Sequence, residues 1–114
     1  MKSPGSAARG TTTGRPIMVL FDVLGQRWTL RILWELRNGG PCTFRELRQR
    51  CEAVSPTVLN RRLKELRALN ILGHDRHGYG LTDAGRELGE QLIQLDRWAE
   101  RWALALEQDG SGHG

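Results

Sequence analysis

Apolar residues along this chain fall into blocks whose spacing predicts one helix after another. Ile17 to Leu24 is apolar-rich and follows Pro16, so it reads as a short helix with proline in its first turn, closed by Gly25. From Trp28 to Arg37, residues 28, 32, 33 and 36 form one helical stripe, while Leu30 and Trp34 make a second, partly opposed pair. Asn38-Gly39-Gly40-Pro41 stops that helix. Thr43-Phe44-Arg45-Glu46 is a capping box, in which the Thr43 hydroxyl accepts from the third backbone N–H and Glu46 reaches back. The helix it opens spans 44 to about 51 and buries Phe44, Leu47 and Cys51. After the turn Glu52-Ala53-Val54, Ser55 as N-cap and Pro56 at the first helical position start another helix, lined by Leu59, Leu63 and Leu66 and running to about Leu69. Two short helices across so tight a turn have the arithmetic of a helix-turn-helix.

The periodicity then changes. Ile71 to Asp75 and Tyr79 to Leu81 are short extended segments around Arg76-His77-Gly78, a hairpin with glycine at its turn. Thr82 caps a final long helix expected to reach about Leu106. The predicted fold class is therefore mainly α with a small β-hairpin wing: a winged helix-turn-helix with a long C-terminal helix. Residues 1–14 hold small and turn-forming residues with nothing to bury and read as a disordered arm. Residues 15–108 form the domain, with the terminal helix over 82–106, and residues 109–114 form a flexible, Gly-rich tail.

Charge adds a partner to this picture. The 114-residue chain carries 17 basic and 13 acidic residues. Up to Leu81 there are 14 basic and 6 acidic residues, and from Thr82 onward 3 and 7, so a basic body precedes an acidic helix. That division suits a polyanion partner for the first part and a different role for the second. No apolar run reaches the ~18 residues of a membrane span, because Arg31, Glu35 and Arg37 interrupt the greasiest stretch. The N-terminus lacks the apolar core of a secretory signal, and two cysteines are too few for a disulfide scaffold, so a cytoplasmic location is expected.

On a helical wheel with about 100° per residue, Leu63 and Leu66 lie close to Leu59, whereas Thr57, Arg61 and Lys64 lie opposite and Asn60 on the flank. Arg can fork onto guanine, Asn onto adenine, and Thr can meet a thymine methyl, which is the equipment of a major-groove reader. With Ser55 and Pro56 at the helix start, these residues form the candidate reading face; most amphipathic helices also carry a merely solvated charged face. Thr43 with the helix start behind it, Arg45, Arg48 and Arg27 are candidates for phosphate contact, and Arg76 for contact at the hairpin tip. His74, Asp75 and His77 stand close together but lack a fourth ligand, so no metal is assigned. Cys42 and Cys51 read as loop and packing residues. There is no phosphate-binding glycine loop and no nucleophile constellation, so neither an enzyme nor a cofactor is expected.

In the final helix Leu88, Leu92, Leu95, Ala99, Trp102 and Leu106 are spaced 4, 3, 4, 3 and 4, a coiled-coil-like seam. Ile93, Trp98, Ala103 and Leu104 lie off it, so more than one face is apolar. A chain this short has little core with which to cover two faces, which predicts a partner surface, here a dimer interface.

Several blocks together carry a family resemblance. They are Gly25-Gln26-Arg27-Trp28-Thr29 with Ile32-Leu33-Trp34-Glu35-Leu36, Thr43-Phe44-Arg45-Glu46-Leu47, Ser55 through Leu66, and Tyr79-Gly80-Leu81-Thr82-Asp83-Ala84-Gly85. In this order over about residues 16 to 104, the chain resembles the HxlR-type branch of winged helix regulators related to MarR proteins. The resemblance implies a homodimer built from the N- and C-terminal helices, binding double-stranded DNA. Members often carry a Cys-Pro pair before the first helix, whose cysteine is the redox or electrophile sensor in several of them. Here the pair is Arg15-Pro16. The family wing is usually longer and contains proline, whereas only a few residues join the strands here.

The expectation is thus a homodimeric, cytoplasmic, sequence-specific transcription regulator acting on a pseudopalindromic operator, with no assigned effector. The rival from another class is a winged-helix protein-interaction module without DNA binding. Arg61 and Lys64 on the outer helix face favour the first reading.

Overall fold

Each predicted element forms, in the predicted order. The computed structural model describes residues 15–113, and the arm expected over 1–14 lies outside them. Helix α1 spans Pro16–Leu24, α2 Thr29–Gly39, α3 Phe44–Arg50 and α4 Pro56–Ala68. Strands β1 (Leu72–Asp75) and β2 (Gly78–Leu81) follow, and α5 covers Asp83–His113.

The core is the sum of the predicted apolar faces. Ile32, Leu33 and Leu36 of α2, Leu47 and Cys51 beside α3, and Leu59, Leu63 and Leu66 of α4 are buried together with Val23, Cys42, Val54, Ile71 and Leu72. Phe44 is only partly buried and packs against this cluster. The second pair on α2, Leu30 and Trp34, remains half exposed.

Local chemistry explains the boundaries. The Thr43–Glu46 capping box forms in full, the Thr43 hydroxyl accepting from the Glu46 N–H at 3.1 Å and Glu46 accepting from the Thr43 N–H at 2.8 Å. Ser55 accepts from the Val58 N–H at 3.2 Å, with Pro56 at the first helical position. At the far end of α4, Asn70 takes a left-handed φ of 59°. Its N–H donates to the Arg67 carbonyl while that of Ile71 donates to Leu66, a Schellman closure sealed by two buried side chains.

The hairpin differs in detail from the expected one. Its loop has two residues, Arg76 and His77, and Gly78 is the first residue of β2, paired with Asp75. Asp75 Oδ1 accepts from the His77 N–H at 2.8 Å and closes the turn from within, while Gly78 takes the left-handed φ of 105°. Cys42, in the connection between α2 and α3, is buried and forms a β-bridge to Tyr79, through bonds of 3.0 and 2.8 Å, that fastens the wing to the start of α3. A Cβ on Gly78 would overlap the Cys42 carbonyl, so this approach needs glycine.

Thr82 caps α5, its hydroxyl accepting from the Gly85 N–H at 3.0 Å and donating to the Asn70 carbonyl at 2.6 Å. The helix passes Leu106 and continues to His113, through the described part of the segment read as a flexible tail. Gly110 and Gly112 lower helix propensity but no proline breaks the ladder, and propagation of an established helix costs far less than nucleation. Its 31 residues span about 46 Å at 1.5 Å per residue, most of the 54 Å long axis of the molecule.

Candidate nucleic-acid interface

The α4 surface divides as its sequence requires. Leu59, Leu63 and Leu66 are buried, while Ser55, Pro56, Thr57, Asn60, Arg61 and Lys64 are exposed on the other side of the same helix. A helix held by its Leu face and presenting Thr, Asn, Arg and Lys outward is shaped to enter a major groove.

The flanking candidates are less uniform. Arg45 is exposed near the start of α3. Arg48 is exposed as well, but its Nε donates to the Val54 carbonyl at 3.3 Å, so part of its guanidinium braces the turn between α3 and α4. Thr43 and the start of α3, expected to meet a phosphate, are engaged within the chain by the capping box. The Thr43 N–H donates to Glu46, and this bond holds the Glu46 carboxyl below the usual range. A carboxylate already occupies that helix end and repels a second anion. Arg76 is exposed at the wing tip, its Nε 3.5 Å from His77 Nε2. Arg27 is exposed between α1 and α2, its guanidinium 5.8 Å from the Trp28 ring centroid.

One residue of this region escaped the sequence reading. Arg62 is buried, donating from Nε to the Arg27 carbonyl at 2.9 Å and from Nη1 to Glu65 at 2.9 Å. The wheel that sorted its neighbours holds the signal: Arg62 lies about 60° from Leu59, on the core side.

His74, Asp75 and His77, to which no metal is assigned, lie in and beside the wing turn. His74 stacks on Tyr79 with ring centroids 4.0 Å apart, and Asp75 closes the turn at His77. Cys42 and Cys51 are both buried, and desolvation pushes both thiols above their ordinary pKa.

The apolar seam of α5 divides in two. Leu88 and Leu92 are partly buried against the chain's own core, because the first half of α5 lies across α2 and β2, and Leu92 also lines the apolar groove between α2 and α5. Ala99 is half-buried, and Leu95, Trp102 and Leu106 remain exposed. Leu95, Ala99 and Ile93 form one wall of an apolar groove whose other wall is Leu30, Leu33 and Trp34 of α2. Trp98 stacks on Trp102 at 5.7 Å, and Ile17, Met18 and Phe21 of α1 are also exposed.

The arrangement has known counterparts. The chain is 34% identical over 88 residues to the uncharacterized HTH-type transcriptional regulator YvaP of Bacillus subtilis, covering 71% of this chain and 81% of that protein. Its fold is similar to that of quinone-bound YodB from B. subtilis, with a TM-score of 0.70 and 30% identity over 75% of this chain and 96% of the other. A possible HxlR family transcriptional factor from Thermoplasma volcanium matches with a TM-score of 0.67 and 26% identity, over 75% of this chain and 83% of its own. Residues 23–107, from the end of α1 through the two-sided α4, the wing and most of α5, match the HxlR-like helix-turn-helix family, and the chain belongs to that family of transcriptional regulators.

Proposed function

We propose that this regulator acts as a homodimer that binds a pseudopalindromic operator in double-stranded DNA, placing α4 of each protomer in successive major grooves. The observation that carries the reading is the outward face of α4, where Thr57, Asn60, Arg61 and Lys64 stand clear of the core. Arg61 and Asn60 read base edges; Arg45, Arg27, Arg76 and the remaining donors of Arg48 meet phosphates.

The dimer follows from apolar surface that the monomer leaves in water. Ten large apolar side chains on α1, α2 and α5 are exposed among the described residues. At roughly 80 Å² each, one partner covering them all would bury about 800 Å² per protomer, the size of a standard stable interface. The acidic surplus of α5 keeps this end of the molecule away from phosphates. Thiol oxidation is no part of the reading, since the two cysteines are buried and their thiolates disfavoured.

The test is a titration of a labelled genomic DNA fragment, selected by pull-down with the protein, at several salt concentrations. Log K should fall with log salt by about 0.9 for each phosphate neutralised. A slope near zero, or no binding, would refute DNA recognition and favour a protein-interaction module.

A further inference from the structure

Arg62 follows Arg61 on α4 but turns the other way, into the core, where it is 7% exposed. A buried guanidinium is tolerated when its donors and charge are matched, and both requirements are met here by different parts of the chain. Glu65, one turn along the same helix, takes Nη1 at 2.9 Å. The carbonyl oxygen of Arg27, in the turn between α1 and α2, takes Nε at 2.9 Å. The planar fork therefore joins the outward-reading helix to a segment 35 residues away in sequence.

That segment is itself constrained. Trp28 has a left-handed φ of 78°, which a bulky side chain adopts only where its surroundings hold it. Its ring lies under the exposed Arg27 guanidinium. The Arg27 backbone is thus pinned by Arg62, and its side chain is directed by a ring in a fixed place.

We propose that Arg62 is a positioning residue for DNA binding: through the Arg27 carbonyl it holds the Arg27 guanidinium at the flank of α4, where that cation meets a backbone phosphate once α4 lies in the groove. The inference rests on the DNA-binding reading above. A purely structural ion pair would contribute to folding but leave the number of phosphate contacts unchanged.

The number of contacts is measurable as a salt slope. The probe is a labelled random-sequence duplex of about 30 base pairs, long enough for two half-sites one helical turn apart. The intact protein is compared with Arg27→Ala, Arg62→Lys and the double variant. Lysine keeps a positive charge facing Glu65 but lacks the fork that serves two acceptors at once. Arg27→Ala and Arg62→Lys should each flatten the slope by about 0.9 per protomer, and the double variant should do no more than either alone. The proposal is overturned if Arg62→Lys leaves the slope unchanged, or if its effect adds to that of Arg27→Ala. Should Arg62→Lys fail to fold, Arg62→Gln, which can still donate one hydrogen bond, takes its place with the same expected and overturning slopes. An unchanged slope for Arg27→Ala overturns the proposal by itself, since Arg27 then makes no phosphate contact for Arg62 to position. An intact protein that binds no duplex overturns the DNA-binding reading as well, which separates the two failures.

Discussion

Replacing Leu95 and Trp102 together by Glu should convert the protein into a folded monomer. Both side chains are about half exposed in the single chain, 52% and 51%, so neither is essential to the core of the protomer. An aromatic side chain buries about 150 to 250 Å², so Trp102 has roughly 100 Å² left for a partner, worth about 2.5 kcal/mol at 25 cal/mol per Å². Leu95, with roughly 75 Å² left, adds about 2 kcal/mol. In a two-fold symmetric dimer each loss counts twice, giving about 9 kcal/mol before any cost of desolvating four carboxylates. Buried area converts incompletely into affinity, but half of this figure is still more than a thousandfold in the dissociation constant. Sedimentation equilibrium at micromolar concentration reads the association, and urea unfolding monitored by circular dichroism reads the fold. Leu88→Ala is the contrasting variant: it should lower the unfolding midpoint while leaving a dimer, because Leu88 packs against the core of its own protomer. A folded dimer surviving the double Glu substitution would refute the assignment of this face.

Three other outcomes are expected. Gly78→Ala should cost about 3 to 5 kcal/mol in urea unfolding, from a strained positive φ and from the two Cys42–Tyr79 backbone bonds displaced by its Cβ, whereas Gly73→Ala, with 3.9 Å of clearance, should change stability by under about 1 kcal/mol; equal effects would refute the wing anchor. Arg61→Ala should cost about 1 to 3 kcal/mol on the selected operator and much less on random DNA, while Arg76→Ala should weaken both alike, and equal losses for Arg61→Ala in the two-duplex comparison would show that α4 does not read bases. Because burial raises the Cys42 and Cys51 pKa values, their contribution to stability is complete below the ordinary thiol range near 8.5 and is lost as pH rises through the higher folded values; unfolding curves from pH 7 to 10 should show this alkaline loss, and Cys51→Ala should diminish it.

The helices, their caps and the wing were legible in the order of residues because each depends on neighbours a few positions away. Thr43 and Glu46 find each other within a single turn, Pro56 presets its own φ, and the Leu59, Leu63 and Leu66 stripe follows from the helical repeat. The outward face of α4 was legible for the same reason: once the Leu face is buried, Thr57, Arg61 and Lys64 have only one place to go.

Tertiary packing decided what covers a surface once it exists. Leu88, Leu92, Leu95 and Trp102 share one periodic seam, and nothing in their spacing distinguishes the two that close the protomer's core from the two left in water. Cys42 became part of the wing through a partner 37 positions away, and Arg62 became a buried brace because the Arg27 carbonyl arrived beside it. Periodicity specifies the direction a side chain takes from its own backbone; its solvent and its hydrogen-bond partners depend on which distant segment packs there, and that is a property of the folded chain.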